Sequence, residues 1–74
     1  MYTVLIIKKD DNKELQKRDF QDNQAKAEKY FNLLKEDISS HSREDLFDAT
    51  EGIKYSDIRL LLFKDDEEIS RFNK

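Results

Sequence analysis

The sequence predicts a small α+β fold in the order ββα(α)ββ: a four-stranded, mainly antiparallel sheet with one long helix packed on one face. Two short apolar runs, Val4-Leu5-Ile6-Ile7 and Leu60-Leu61-Leu62-Phe63, lie near opposite ends of the chain and have the length of buried strands. Each is followed by an acidic turn and a polar return. A helical spacing of apolar residues fills the interval between them. With 74 residues there is room for one domain, spanning 1–74.

The first hairpin is placed at 2–20. Asp10-Asp11-Asn12-Lys13 turns it, because Asp and Asn side chains bond to nearby backbone and tolerate left-handed geometry. Its return strand, Glu14–Phe20, is charged and suits a sheet edge, where charge discourages pairing with other chains. The helix is placed at 22–39, capped by Asp22 or Asn23. Ala27, Tyr30, Phe31, Leu34 and Ile38 form its apolar face.

Residues 40–55 cross to the second half. Ser42, with Asp45 three residues on, resembles a loose capping box, so a short helix over 43–50 is expected, ended by Gly52 in left-handed geometry. The second hairpin, 56–72, turns at Asp65-Asp66. Placing the apolar strands centrally and the polar ones outside gives a spatial order, in strand sequence, of 2-1-3-4. Whether the central pair runs parallel is left open by the crossing. The two hairpins echo each other: Lys9–Leu15 and Lys64–Ile69 share Lys-Asp-Asp, then Glu and an aliphatic residue, with Arg18 and Phe20 or Arg71 and Phe72 beyond.

Composition narrows the function classes. Charged residues make up 42% of the chain, yet 14 Lys and Arg against 17 Asp and Glu leave a net charge of only −3. Low net charge and clustered apolar residues argue for a folded chain over a disordered one. Absence of cysteine excludes a disulfide framework, thiolate metal ligands and a cysteine nucleophile. No run of about 18 apolar residues is available to span a bilayer, so no membrane partner is expected. The N-terminal stretch lacks the pattern of a secretory signal, and the expected location is cytoplasmic. Ten lysines to four arginines, with no proline, fit an A/T-rich coding sequence and suggest a bacterial, phage or mobile-element accessory protein.

No residue set points to catalysis. His41, the sole histidine, lies in Ser39-Ser40-His41-Ser42 without the glycine-rich elbow that a serine nucleophile needs for an oxyanion hole. It reads as a solvated side chain at a helix end. Asp10, Asn12 and Glu14 imitate the start of a calcium loop, but Leu15 and Gln21 stand where that loop needs glycine and a bidentate glutamate. The acidic run 65–68 reads as a hairpin turn. Expected catalytic residues, metal sites and cofactors are therefore none.

The strands carry the functional signal. A sheet covered on one face should alternate apolar and polar residues. Here Val4 and Ile6 point one way and Leu5 and Ile7 the other; Ile58, Leu60 and Leu62 oppose Arg59, Leu61 and Phe63. A two-residue turn at Asp65-Asp66 sets Leu62 opposite Ile69 and Arg59 opposite Phe72, which groups Arg59, Leu61, Phe63 and Phe72 on the face away from the helix. One helix cannot cover both faces. Either residues 43–55 cover the second face, or a second copy of the chain does, or another protein does.

The sequence therefore points to a non-enzymatic protein-interaction module, a small regulator or inhibitor acting through that face or by homodimerisation. The competing class is a single-strand nucleic-acid binder that uses Lys8, Lys9, Lys17 and Arg18 of the basic first hairpin beside strand aromatics. Overall acidity and interspersed carboxylates argue against nucleic acid.

Overall fold

A computed structural model describes residues 1–74. The elements are β1 (Tyr2–Lys8), β2 (Glu14–Asp19), α1 (Gln24–Ser40), β3 (Leu46–Asp48), β4 (Ile53–Lys54), a 3-10 turn (Tyr55–Asp57), β5 (Ile58–Lys64) and β6 (Glu67–Phe72). Four strands form one sheet in the order β2-β1-β5-β6, and β3 and β4 form a separate two-stranded ladder. The order is the one predicted, with both polar strands at the edges. The central β1–β5 pair is antiparallel, in a register that sets Leu5 opposite Leu61 and Ile7 opposite Arg59. No helix is long and apolar enough to cross a membrane.

Helix α1 starts where its sequence provides a cap. The Asn23 side chain accepts the Lys26 N–H at 3.1 Å, satisfying one of the first-turn donors that lack intrahelical partners. At the other end the His41 N–H donates to the Ile38 carbonyl. Ala27, Phe31 and Ile38 are buried, and Tyr30 and Leu34 pack at the margin. These side chains meet Tyr2, Val4 and Ile6 of β1 and Ile58, Leu60 and Leu62 of β5 in one continuous cluster. Leu60 and Ala27 have no exposed surface.

The crossing differs from the sequence reading. Residues 43–50 are not helical; they form a turn, β3 and a second turn. The bonds that suggested a helix start are present: Asp45 accepts the Ser42 N–H at 2.8 Å and Ser42 Oγ accepts the Glu44 N–H at 3.2 Å. They close a turn instead. Downstream, Asp48 Oδ1 accepts the Thr50 and Glu51 N–H groups at 3.0 and 3.3 Å, which bends the chain at the point a helix would have to continue. Gly52 does take positive φ, at +69°, as the last residue of this bend.

Packing explains the preference. An eight-residue helix would offer only the adjacent Leu46 and Phe47 to the core. The β3–β4 ladder instead buries Ile53 and Tyr55 and rests Phe47 edge-on against Tyr55, with ring centres 5.5 Å apart. All three join the helix-side cluster, and Leu46 stays 52% exposed. Residues 43–55 thus extend the helix-side core rather than cover the far face of the sheet.

The second hairpin also departs from the simple register. Lys64–Glu67 and Phe63–Glu68 pair as a two-residue turn requires, and then the register shifts between Leu62 and Phe63. Ile69 is the extra residue of this β-bulge. Beyond it Leu62 faces Ser70, Leu61 faces Arg71 and Leu60 faces Phe72. The insertion turns the rest of β6 over, so Phe72 lies on the helix side, packed against the core under Lys35.

The first hairpin does the same. Ile7 pairs with Glu14 and Ile6 with Gln16, leaving Leu15 as its bulged residue. The registers relate the two hairpins by a local two-fold axis through the Leu5–Leu61 pair. Under it Ile7 corresponds to Phe63, Glu14 to Glu68, Leu15 to Ile69 and Lys17 to Arg71. The sequence echo therefore has a counterpart in pairing, with Lys8 rather than Lys9 equivalent to Lys64.

Candidate functional site: the open sheet face

Thirteen residues are buried, and eleven of them form the helix-side cluster. The two outside it, Ile7 and Leu61, lie on the opposite face of the sheet. Side chains of directly paired residues point to the same side, so the registers build this face row by row. The middle row across the four strands is Lys17, Leu5, Leu61 and Arg71. One flanking row is Asp19, Thr3, Phe63 and Glu68, and the other is Glu14, Ile7 and Arg59. Four apolar side chains thus run together over the two central strands, with charge on the outer ones. No secondary-structure element of the chain lies over them.

Burial within this face is uneven. Leu61 and Ile7 are only 6% and 7% exposed, although no layer covers them. Each is hemmed in by neighbours on its own face, Leu61 by Leu5, Arg59, Phe63 and Arg71. Leu5 and Phe63 are half-buried and form the accessible part. Beside them is a shallow depression of 210 Å³ lined by Thr3, Leu5, Glu14, Lys17, Phe63, Asp65 and Asp66.

The charges differ in how far they are satisfied. Arg71 and Glu68 make a two-pronged pair, Nε to Oε2 at 2.8 Å and Nη2 to Oε1 at 3.0 Å. These bonds, with smaller contributions from the charges of Arg71 and Arg59, hold the Glu68 carboxyl below its usual range. Asp19 accepts a hydrogen bond from Thr3 Oγ1 at 2.8 Å. Lys17 and Arg59 have no ion-pair partner within the chain. The Nε–H of Arg59 is also buried without an acceptor, the one such side-chain atom in the molecule.

The structure brings together three of the four residues grouped from sequence, Arg59, Leu61 and Phe63, and removes Phe72 to the helix side through the Ile69 bulge. Leu5, Ile7, Lys17 and Arg71 join them. The alternation within Val4–Ile7 already set Leu5 and Ile7 apart from Val4 and Ile6. Which β5 residues they would meet depended on the β1–β5 register, which strand composition does not encode.

The basic residues of the first hairpin do not converge. Lys8 falls on the helix side of β1, 3.8 Å from Asp10. Lys9 donates to the Ser56 carbonyl at 2.9 Å. Lys17 is on the open face. Arg18 is on the other face of the same strand, its guanidinium 5.4 and 5.0 Å from the ring centres of Phe20 and Tyr30.

His41 stacks on Tyr55 with ring centres 4.3 Å apart, and its two ring nitrogens lie 3.7 Å from Asp37 and 3.5 Å from Asp45. The neighbouring serine hydroxyls serve the backbone: Ser39 and Ser40 donate to the Lys35 and Asp37 carbonyls. Burial, and then the charges of Asp37 and Asp45, push the Tyr55 hydroxyl above its ordinary range.

Comparison with known proteins finds no family model, curated relative or solved structure that matches this chain.

Proposed function

We propose that this protein is a non-enzymatic interaction module, a small regulator or inhibitor, that engages another polypeptide through the open face of its sheet. One observation carries the reading: Leu5, Ile7, Leu61 and Phe63 form a contiguous apolar group on the face opposite α1, over which no helix or strand of the chain is layered, and Leu5 and Phe63 remain half-exposed. A sheet in a globular protein is normally layered wherever its side chains are apolar. Completing the burial of the half-exposed Leu5 and Phe63 is worth at most about 2 kcal/mol each, enough to contribute to a complex but not to strand the free protein in aggregates.

The test is position-specific photo-crosslinking in a lysate of the source cells. A benzophenone side chain at position 63 should give discrete higher-mass adducts. The same group at position 33, where Leu33 is exposed on the outer side of α1, should not. Identical adducts from both positions, or none from position 63, would remove the open face as the working surface.

A further inference from the structure

Resting on that reading, we infer that the open face is covered by a second copy of this chain, docked sheet to sheet. The two-fold axis crosses the strands between the Lys17–Leu5–Leu61–Arg71 row and the Asp19–Thr3–Phe63–Glu68 row. A two-fold interface presents one patch to itself, so each charge must find its opposite on that same patch. The open face meets this condition. It carries three cations, Lys17, Arg59 and Arg71, and three carboxylates, Glu14, Asp19 and Glu68. That balance favours neither an acidic nor a basic partner.

The order of the charges along the strands fixes the arrangement. Asp19 is followed by Lys17 on the open face of β2, and Glu68 by Arg71 across the bulge of β6. An axis between the two rows lays each strand over its own counterpart, running the opposite way. The middle row of one copy then lies over the flanking row of the other. Lys17 of one copy faces Asp19 of the other, Arg71 faces Glu68, Phe63 lands on Leu61 and Leu5 on Thr3, each contact occurring twice. Lys17 has no ion-pair partner in its own chain, and Asp19 only the hydrogen bond from Thr3. Glu68 and Arg71, already joined within each copy, close a four-charge ring of alternating sign. The β1–β5 register continues past Tyr2, because the Asp65 N–H donates to the Met1 carbonyl at 2.7 Å. Met1, 45% exposed, therefore belongs to the same face and falls over Ile7 of the other copy.

Other two-fold placements fail. An axis along the strands sets Lys17 on Arg71 and Asp19 on Glu68, like on like. An axis through the middle row sets Lys17 and Arg71 each on its own counterpart. Between the middle row and the Glu14–Ile7–Arg59 row, it sets Leu61 on Arg59 and carries Phe63 beyond the last row. Stacked sheets keep their strands within about 30° of each other, a rotation that side chains as long as Lys17 and Arg71 span near the axis. Four strands about 4.8 Å apart and four rows about 6.7 Å apart give a footprint of roughly 500 Å² per copy, at the low end of specific interfaces. The dimer is therefore weak and reversible, with a dissociation constant on the order of 10–100 µM.

The experiment is sedimentation equilibrium on the intact chain, purified without unfolding, from about 1 µM to about 1 mM. The mass should rise from 8.9 kDa toward twice that value. Lys17→Glu alone and Asp19→Lys alone each set like charges together twice, and should weaken association about tenfold or more. An equimolar mixture of the two variants should recover the native association. One variant chain then offers carboxylates at both positions and the other amines at both. Phe63→Gln should abolish association, and Leu5→Gln substitutes for it if circular dichroism shows Phe63→Gln unfolded.

Association that depends on Phe63 but ignores the charge changes, or is not recovered on mixing, would overturn this arrangement and leave the interaction face standing. A monomer at every concentration, whose crosslinks from position 63 hold a different protein, would overturn the second copy with the same consequence. A monomer that gives no adduct from position 63 would remove both the second copy and the interaction face.

Discussion

Gln21 has φ of +55° between β2 and α1, and its carbonyl accepts the Tyr2 N–H at 2.6 Å, which fixes the chain in that geometry. Left-handed backbone costs an ordinary L-residue roughly 1–2 kcal/mol, and glycine avoids it at an entropic cost of about 0.5–1 kcal/mol. Gln21→Gly should therefore stabilise the fold and raise the melting temperature by roughly 4 °C; a fall would show that the side chain compensates for the strain. Asn12 and Asp65, also at positive φ, are residue types that tolerate it and offer no such gain. Tyr55 gives a pH effect. Its hydroxyl ionises less readily folded than unfolded, because of burial and then of Asp37 and Asp45. The stability this provides is complete below the unfolded value near pH 10 and is lost as pH rises through the folded value. Tyr55→Phe should make the alkaline limb of a stability–pH curve shallower, as followed by urea midpoints at pH 8 to 11. An unchanged limb would assign alkaline unfolding to other groups.

The elements differ in how plainly the sequence announces them. The helix was legible because its apolar face repeats over four turns and Asn23 supplies the cap. Both apolar strands were legible from clustering alone, and their centrality followed from the polarity of their neighbours. The bulges at Leu15 and Ile69 were not. A strand that changes register keeps its composition, and no residue in Glu67–Phe72 marks where the extra position falls. That one insertion decides the fate of Phe72, and with it one quarter of the site grouped from sequence. Phe72→Ala tests the assignment. A half-buried ring packed on the core costs about 2 kcal/mol when truncated, whereas a ring on the open face of the free protein costs much less. The β3–β4 segment misled for a different reason: Ser42 and Asp45 make bonds shared by helix starts and turns, and only the burial of Ile53 and Tyr55 decides between them.

At the scale of the whole molecule, the two hairpins and the helix are each local in sequence. What unites them is the β1–β5 pairing, which joins the two ends of the chain and completes the floor on which α1 rests. Hairpins and helices form in microseconds, but neither half encloses the core until β1 meets β5. That meeting should limit the folding rate. It should also be the last contact to open, so amides of Leu5, Ile7, Arg59 and Leu61, which point across this pair, should exchange with solvent only through global unfolding, and outer-edge amides of β2 and β6 faster. Uniform protection across all four strands would argue against such a seam. The same seam has a consequence at high protein concentration. The 58–72 hairpin of one molecule presents to any β1 the register it presents to its own, and the 40–55 crossing is the hinge on which it would swing out. Refolding from concentrated denaturant should therefore trap exchanged dimers, in which each hairpin completes its neighbour's sheet.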